Sequence, residues 1–174
     1  MIGRYFNFKR HNDYGYSLIE LVVVISIMAI MVGLMSLGIS MMFSKDAEAA
    51  AKTIDDGLSE VRMLAMSKEG TYTFVLKLDD NKIEIQKGGS EYKTIDFKRK
   101  ATVSVDGGNL SSAKTSGDFT VEFDKGNGSV KKLDNGLVTE TTKVVEITVT
   151  AEKLTSKTST VFLMPTTGRH YINK

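Results

Sequence analysis

The sequence predicts an α+β fold: one long N-terminal helix packed on small antiparallel β-sheets. Three observations carry this. Residues 21–43 form an apolar run without a single charge. Residues 47–65 then repeat apolar side chains at helical spacing. Beyond Gly70 the period drops to two, in short runs separated by Gly, Asn and Asp.

The apolar run, as a helix, is about 35 Å long at roughly 1.5 Å per residue. A bilayer core is about 30 Å thick, and the run is apolar on every side, as a membrane span requires. Arg4, Lys9 and Arg10 precede it against one acid, Asp13. That basic excess places the N-terminal end in the cytoplasm and the remainder outside. A secretory signal would have a shorter core and a small-residue cleavage site after it, which this run lacks.

The second helical half carries Ala47, Ala50, Ala51, Ile54, Leu58, Val61, Leu64 and Ala65 as one stripe. Leu58 and Val61 are expected to contact a sheet. Lys45, Glu48, Lys52, Asp55, Asp56, Glu60 and Arg62 fill the remainder and read as a solvated face. A single helix is expected over 17–67, with Gly70 as its stop signal.

Strands are expected at 71–78, 82–86, 92–97, 102–105, 119–123, 144–150 and 160–164, where Val, Ile, Thr, Phe and Tyr dominate. Turn residues at 79–81, 88–90, 106–109, 125–128 and 135–136 imply antiparallel pairing. The expected organisation is a cleaved leader at 1–15, a membrane-spanning or filament-core helix at 16–43, an amphipathic continuation at 44–69, and an extracytoplasmic β domain at 70–174.

Composition narrows the chemistry. The 174 residues are 41% apolar and 25% charged, too apolar for a disordered chain. The absence of Cys excludes disulfides, thiolate zinc sites and cysteine nucleophiles. His11 and His170 are the two histidines. No motif calls for a metal, a cofactor or enzymatic catalysis. A formal charge of +2 argues against a dedicated nucleic-acid binder. Residues 1–15 hold three cations and one anion, so their removal leaves the remainder formally neutral.

The junction before the span reads Asp13-Tyr14-Gly15-Tyr16-Ser17-Leu18-Ile19-Glu20-Leu21. It resembles the class III signal of type IV pilins and pseudopilins. There a basic leader, Gly, an aromatic residue, Ser or Thr, two aliphatics and Glu precede an apolar helix. The resemblance implies prepilin peptidase cleavage between Gly15 and Tyr16, and N-methylation of Tyr16. It implies a single-pass protein of the cytoplasmic membrane that later enters an extracytoplasmic filament. The implied partners are other pilin or pseudopilin subunits, the peptidase, the lipid bilayer before assembly, and indirectly a membrane platform with its cytoplasmic ATPase.

Ser17 and Glu20 also have the spacing of a capping box, Ser17 as N-cap and Glu20 three positions into the helix. In the family, Glu at this place pairs with the N-terminal amine of a neighbouring subunit or its own and sets register. Gly33 and Gly38 each cost the helix about 1 kcal/mol relative to Ala. They read either as small contacts between helices or as points where the helix softens during assembly.

The rest of the chain is similar, more loosely, to the H-type pseudopilin and FimT group. Residues 55–67 look like that group's helix end, 121–126 like its Phe-x-x-Gly turn, and 162–169 like its closing strand and Gly-Arg turn. These point to a minor pilin or pseudopilin. The alternative is a membrane-tethered binding module that does not polymerise, with DNA as its ligand. Arg169, Tyr171 and Lys174 would supply the contacts, but Tyr171 stands where the related segment has its second Arg.

Overall fold

In the computed structural model, residues 17–97, 101–152 and 154–173 are described. The helix α1 runs Leu18–Ser67. Ten strands follow: β1 (Tyr72–Lys77), β2 (Lys82–Lys87), β3 (Ser90–Asp96), β4 (Ala101–Gly107), β5 (Asp118–Phe123), β6 (Val130–Leu133), β7 (Gly136–Leu137), β8 (Val145–Ala151), β9 (Leu154–Met164) and β10 (Arg169–Asn173). They form two antiparallel sheets, ordered β3-β2-β1-β5-β6-β7 and β10-β9-β8-β4. The α+β class expected from the sequence is the one observed.

The chain divides into two compact units, 1–38 and 39–174. In the first, Leu18–Met35 has a mean hydropathy of 2.7 and none of it is buried in the chain. This helix is long and apolar enough to cross a membrane. Side chains so apolar and so exposed need another apolar environment. Ser26, the one hydroxyl in that stretch, donates to the Val22 carbonyl at 2.7 Å and so satisfies itself inside the helix.

The second unit holds the core. The stripe Ala47, Ala50, Ala51, Ile54, Leu58, Val61, Leu64 and Ala65 is buried in full. Each Leu or Ile so buried contributes about 1.5–3 kcal/mol. Both sheets face the same core, with Phe74, Ile83 and Val121 from one and Val105, Ile147 and Leu163 from the other. Gly57 fixes the helix-to-sheet distance: a Cβ there would sit 3.1 Å from the Phe74 ring and 3.3 Å from Ile83.

Two tight hairpins set register. Gly88-Gly89 joins β2 to β3, with Lys87 opposite Ser90 and φ of 59° and 85°. Asp134-Asn135 joins β6 to β7, with Leu133 opposite Gly136 and φ of 43° and 69°. Positive φ at both central residues matches the right-handed strand twist. The sequence signal at 135–136 therefore marked the right turn, shifted by one residue. Strands β6, β7 and β10 were not expected, and β9 begins at Leu154, ahead of the expected 160–164.

Candidate functional site

The first candidate is the junction at the start of α1. Ser17 precedes the helix, and its Oγ accepts from the Glu20 N–H at 3.3 Å. The Ser17 N–H donates to Glu20 Oε2 at 2.9 Å. This reciprocal pair satisfies two N–H groups that a helix start otherwise leaves open. It also holds the Glu20 carboxylate at the first turn, where the helix dipole favours negative charge. The cap uses groups of Ser17 and Glu20 alone, so a free amine at position 16 would leave it intact. Gly15 and Tyr16 lie outside the described residues.

Farther along, Gly33 is helical, and a Cβ built on it meets nothing within 4 Å. Its small size answers no contact within the chain. Gly38 is also in the helix, but its surroundings lie outside the described residues.

The second candidate is a crossing in the second unit, centred on Arg62. Its Nε donates to the Gly128 carbonyl at 2.9 Å, and its Nη2 donates to the Thr167 carbonyl at 3.1 Å. The guanidinium thus clamps the β5–β6 loop and the β9–β10 turn to the helix. The two loops also meet directly, since the Val130 N–H donates to the Pro165 carbonyl at 2.8 Å. Gly168 has φ 65°, and a Cβ there would overlap the Gly128 carbonyl. Only glycine combines that conformation with that approach.

This corrects the reading of Arg62 as part of a solvated face. Two of the segments that resembled the H-type and FimT group, 55–67 and 162–169, meet at this side chain, and its other partner, Gly128, lies two residues past the third, 121–126. Spacing alone does not reveal the convergence, because it depends on which loops the two sheets bring together.

His170 sits beside the same crossing, on β10. Its side chain is 8% exposed. Nδ1 lies 3.2 Å from the Gly168 carbonyl, and Nε2 lies 2.8 Å from Ser59 Oγ. A neutral imidazole fits both contacts: Nδ1–H donates to the carbonyl and Nε2 accepts from the hydroxyl. Asp55 Oδ1 lies 3.8 Å from that same Nε2, too far for a hydrogen bond, and is buried without a hydrogen-bond partner. Burial raises the Asp55 pKa above 3.8; His170 opposes this and Asp56 adds to it.

Ser, His and Asp thus converge although the sequence offered no nucleophile near His170. Their arrangement is not that of a nucleophilic relay. There the acid orients the ring through the nitrogen that does not meet the hydroxyl. Here Ser59 and Asp55 approach one nitrogen, and a backbone carbonyl takes the other.

Arg169 and Tyr171 are exposed on β10, with Tyr171 stacked on Phe162 at 5.3 Å. Lys174 lies outside the described residues. The Asp124 loop closes on itself, with Asp124 Oδ1 accepting from the Gly126 N–H at 2.8 Å.

Residues 10–36 match the family model described as the prokaryotic N-terminal methylation motif. This is a type IV pilin-like prepilin signal joined to an apolar helix. Proteins with this motif are structural, and the motif implies peptidase processing and assembly with other pilin subunits. Neither a curated protein nor a solved structure matches the chain.

Proposed function

We propose that the chain is the precursor of a structural subunit in a type IV pilus-like filament. The observation that carries this is the motif at 10–36 together with the helical segment Leu18–Met35, which buries none of its apolar surface in its own chain. Prepilin peptidase cuts after Gly15 and the new amine of Tyr16 is methylated. Residues 16–43 first cross the cytoplasmic membrane once, with the N-terminus inside. They then leave lipid for the filament core, where neighbouring helices cover the same apolar surface. The outer unit, 70–174 with the helical segment 44–69, faces the exterior.

The contact of Arg62 with the 162–169 turn favours a minor pilin or pseudopilin of the H-type and FimT kind, because two of the three resembling segments meet there. DNA uptake would require a basic surface; of the three residues weighed for it, Arg169 and Tyr171 are exposed on β10 and Lys174 lies outside the described residues.

Mass spectrometry of the N-terminus of the chain from native membranes and sheared filaments tests the proposal. The expected first residue is methylated Tyr16, in both fractions. An intact Met1 would overturn processing. Methylated Tyr16 in membranes but absent from sheared filaments would favour a tethered binding module.

A further inference from the structure

We infer that Met66 is a site of modification by hydroperoxide, and that its sulfoxide loosens the Arg62 crossing. Met66 lies one turn beyond Arg62 on α1 and is 51% exposed. It lines an open groove with Ser59, Met63 and His170. Its sulfur fills the space that Gly128 leaves by having no side chain. A Cβ on Gly128 would meet Met66 Sδ at 2.6 Å, Arg62 Nε at 2.9 Å and Arg62 Nη2 at 3.3 Å, and these are the atoms nearest to that point. The Gly128 carbonyl in turn accepts from Arg62 Nε. An accessible thioether, a guanidinium and the β5–β6 loop thus meet at one contact.

The thioether is the group in this cluster that a peroxide oxidises. With hydrogen peroxide, the sulfur lone pair attacks one peroxide oxygen. The S–O bond forms as the O–O bond breaks. The departing hydroxide takes the proton left on the transferred oxygen and leaves as water. Sulfur loses two electrons and the peroxide gains them. The product is polar and chiral where the thioether was apolar and flexible. Its oxygen is an acceptor set beside a cation, and hydrogen bonds from a charged donor are the strong ones. It therefore competes with the Gly128 and Thr167 carbonyls for Arg62 Nε and Nη2. Each bond taken from a carbonyl unties one loop from the helix.

Position, rather than exposure, sets Met66 apart. Met63 lines the same groove and is more exposed, at 61%. Its sulfur is not among the atoms nearest to the missing Gly128 side chain, so its oxidation leaves the crossing tied. Met28, Met31 and Met35 are exposed too, but they lie in the first unit. The inference rests on the geometry of the second unit alone and does not depend on filament assembly.

The test treats the full chain, held in a peroxide-free alkyl maltoside, with hydrogen peroxide. Peptide mass spectrometry should find one added oxygen on Met66. The unfolding temperature should then fall by about 3 °C or more, and methionine sulfoxide reductases should restore it. Met66→Leu keeps an apolar side chain of similar volume and offers no sulfur there, so most of the fall should vanish. Met63→Leu should fall like the parent. Met66→Gln sets a polar acceptor at the same place and should show the lower temperature without peroxide. An unchanged unfolding temperature with Met66 oxidised would overturn the inference, as would an equal fall in Met66→Leu. A Met66 that stays unmodified while Met63 gains its oxygen would overturn it as well.

Discussion

Asp55 is the one described group whose burial works against its charge without a hydrogen bond in return. Its raised pKa has a definite consequence for stability. Below the ordinary carboxylate range, Asp55 is protonated folded or unfolded, and burial exacts no ionic penalty. As pH rises from 3.8 through the higher folded value, the unfolded chain ionises first, and stability is lost. Asp55→Asn keeps the shape and removes the charge. Its unfolding temperature, followed by circular dichroism on the full chain in detergent, should exceed that of the parent by a few degrees at about pH 7. The gap should close toward about pH 3, where both side chains are neutral. A lower unfolding temperature at neutral pH would mean that attraction to His170 outweighs burial. Arg62 differs because its charge is spent on two carbonyls, each such bond contributing about 1.5–3 kcal/mol.

At the scale of elements, the stripe on α1 decides how helix and sheets meet. Leu58 is fully buried, whereas Met63 is 61% exposed. Leu58→Ala should therefore cost about 2–5 kcal/mol, and Met63→Ala under about 0.5 kcal/mol. Denaturant unfolding of the full chain in detergent checks both; equal costs would show that the stripe does not carry the packing. This helix was legible because its period persists over many turns. The central strands were legible because inward Val, Ile and Phe alternate with polar residues. β6 was not, since Lys131 and Lys132 stand side by side and the pairing is bulged near Phe123. β7 has only two residues, too few for any period. β10 is an edge strand without a fully buried residue, so its sequence carries little alternation. The Arg62 crossing was legible only as separate resemblances at 55–67 and 162–169, because loops joined by tertiary structure leave no spacing in the chain.

For the whole molecule, the proposed life cycle turns on one charge change. Loss of residues 1–15 removes a leader of net +2 and creates an amine at Tyr16. That amine lies next to Ser17, whose N–H already holds Glu20 Oε2. A carboxylate entering an apolar helix bundle needs a cation. At about 4 Å and an effective dielectric constant of about 20, the two charges attract by about 4 kcal/mol. Capping and pairing are compatible, because the cap uses one carboxylate oxygen and the charge is shared over both. Glu20→Gln separates them: the amide oxygen can still accept the Ser17 N–H, but the anion is gone. The variant should enter the membrane and be processed to Tyr16 like the parent. Its share in sheared filaments, by immunoblot against the membrane pool, should fall about tenfold or more, equivalent to at least 1.4 kcal/mol of lost attraction. Ser17→Ala weakens the cap by about 1 kcal/mol yet keeps the carboxylate, so it should assemble far better than Glu20→Gln. Equal incorporation of Glu20→Gln and the parent would show that Glu20 serves the helix end alone.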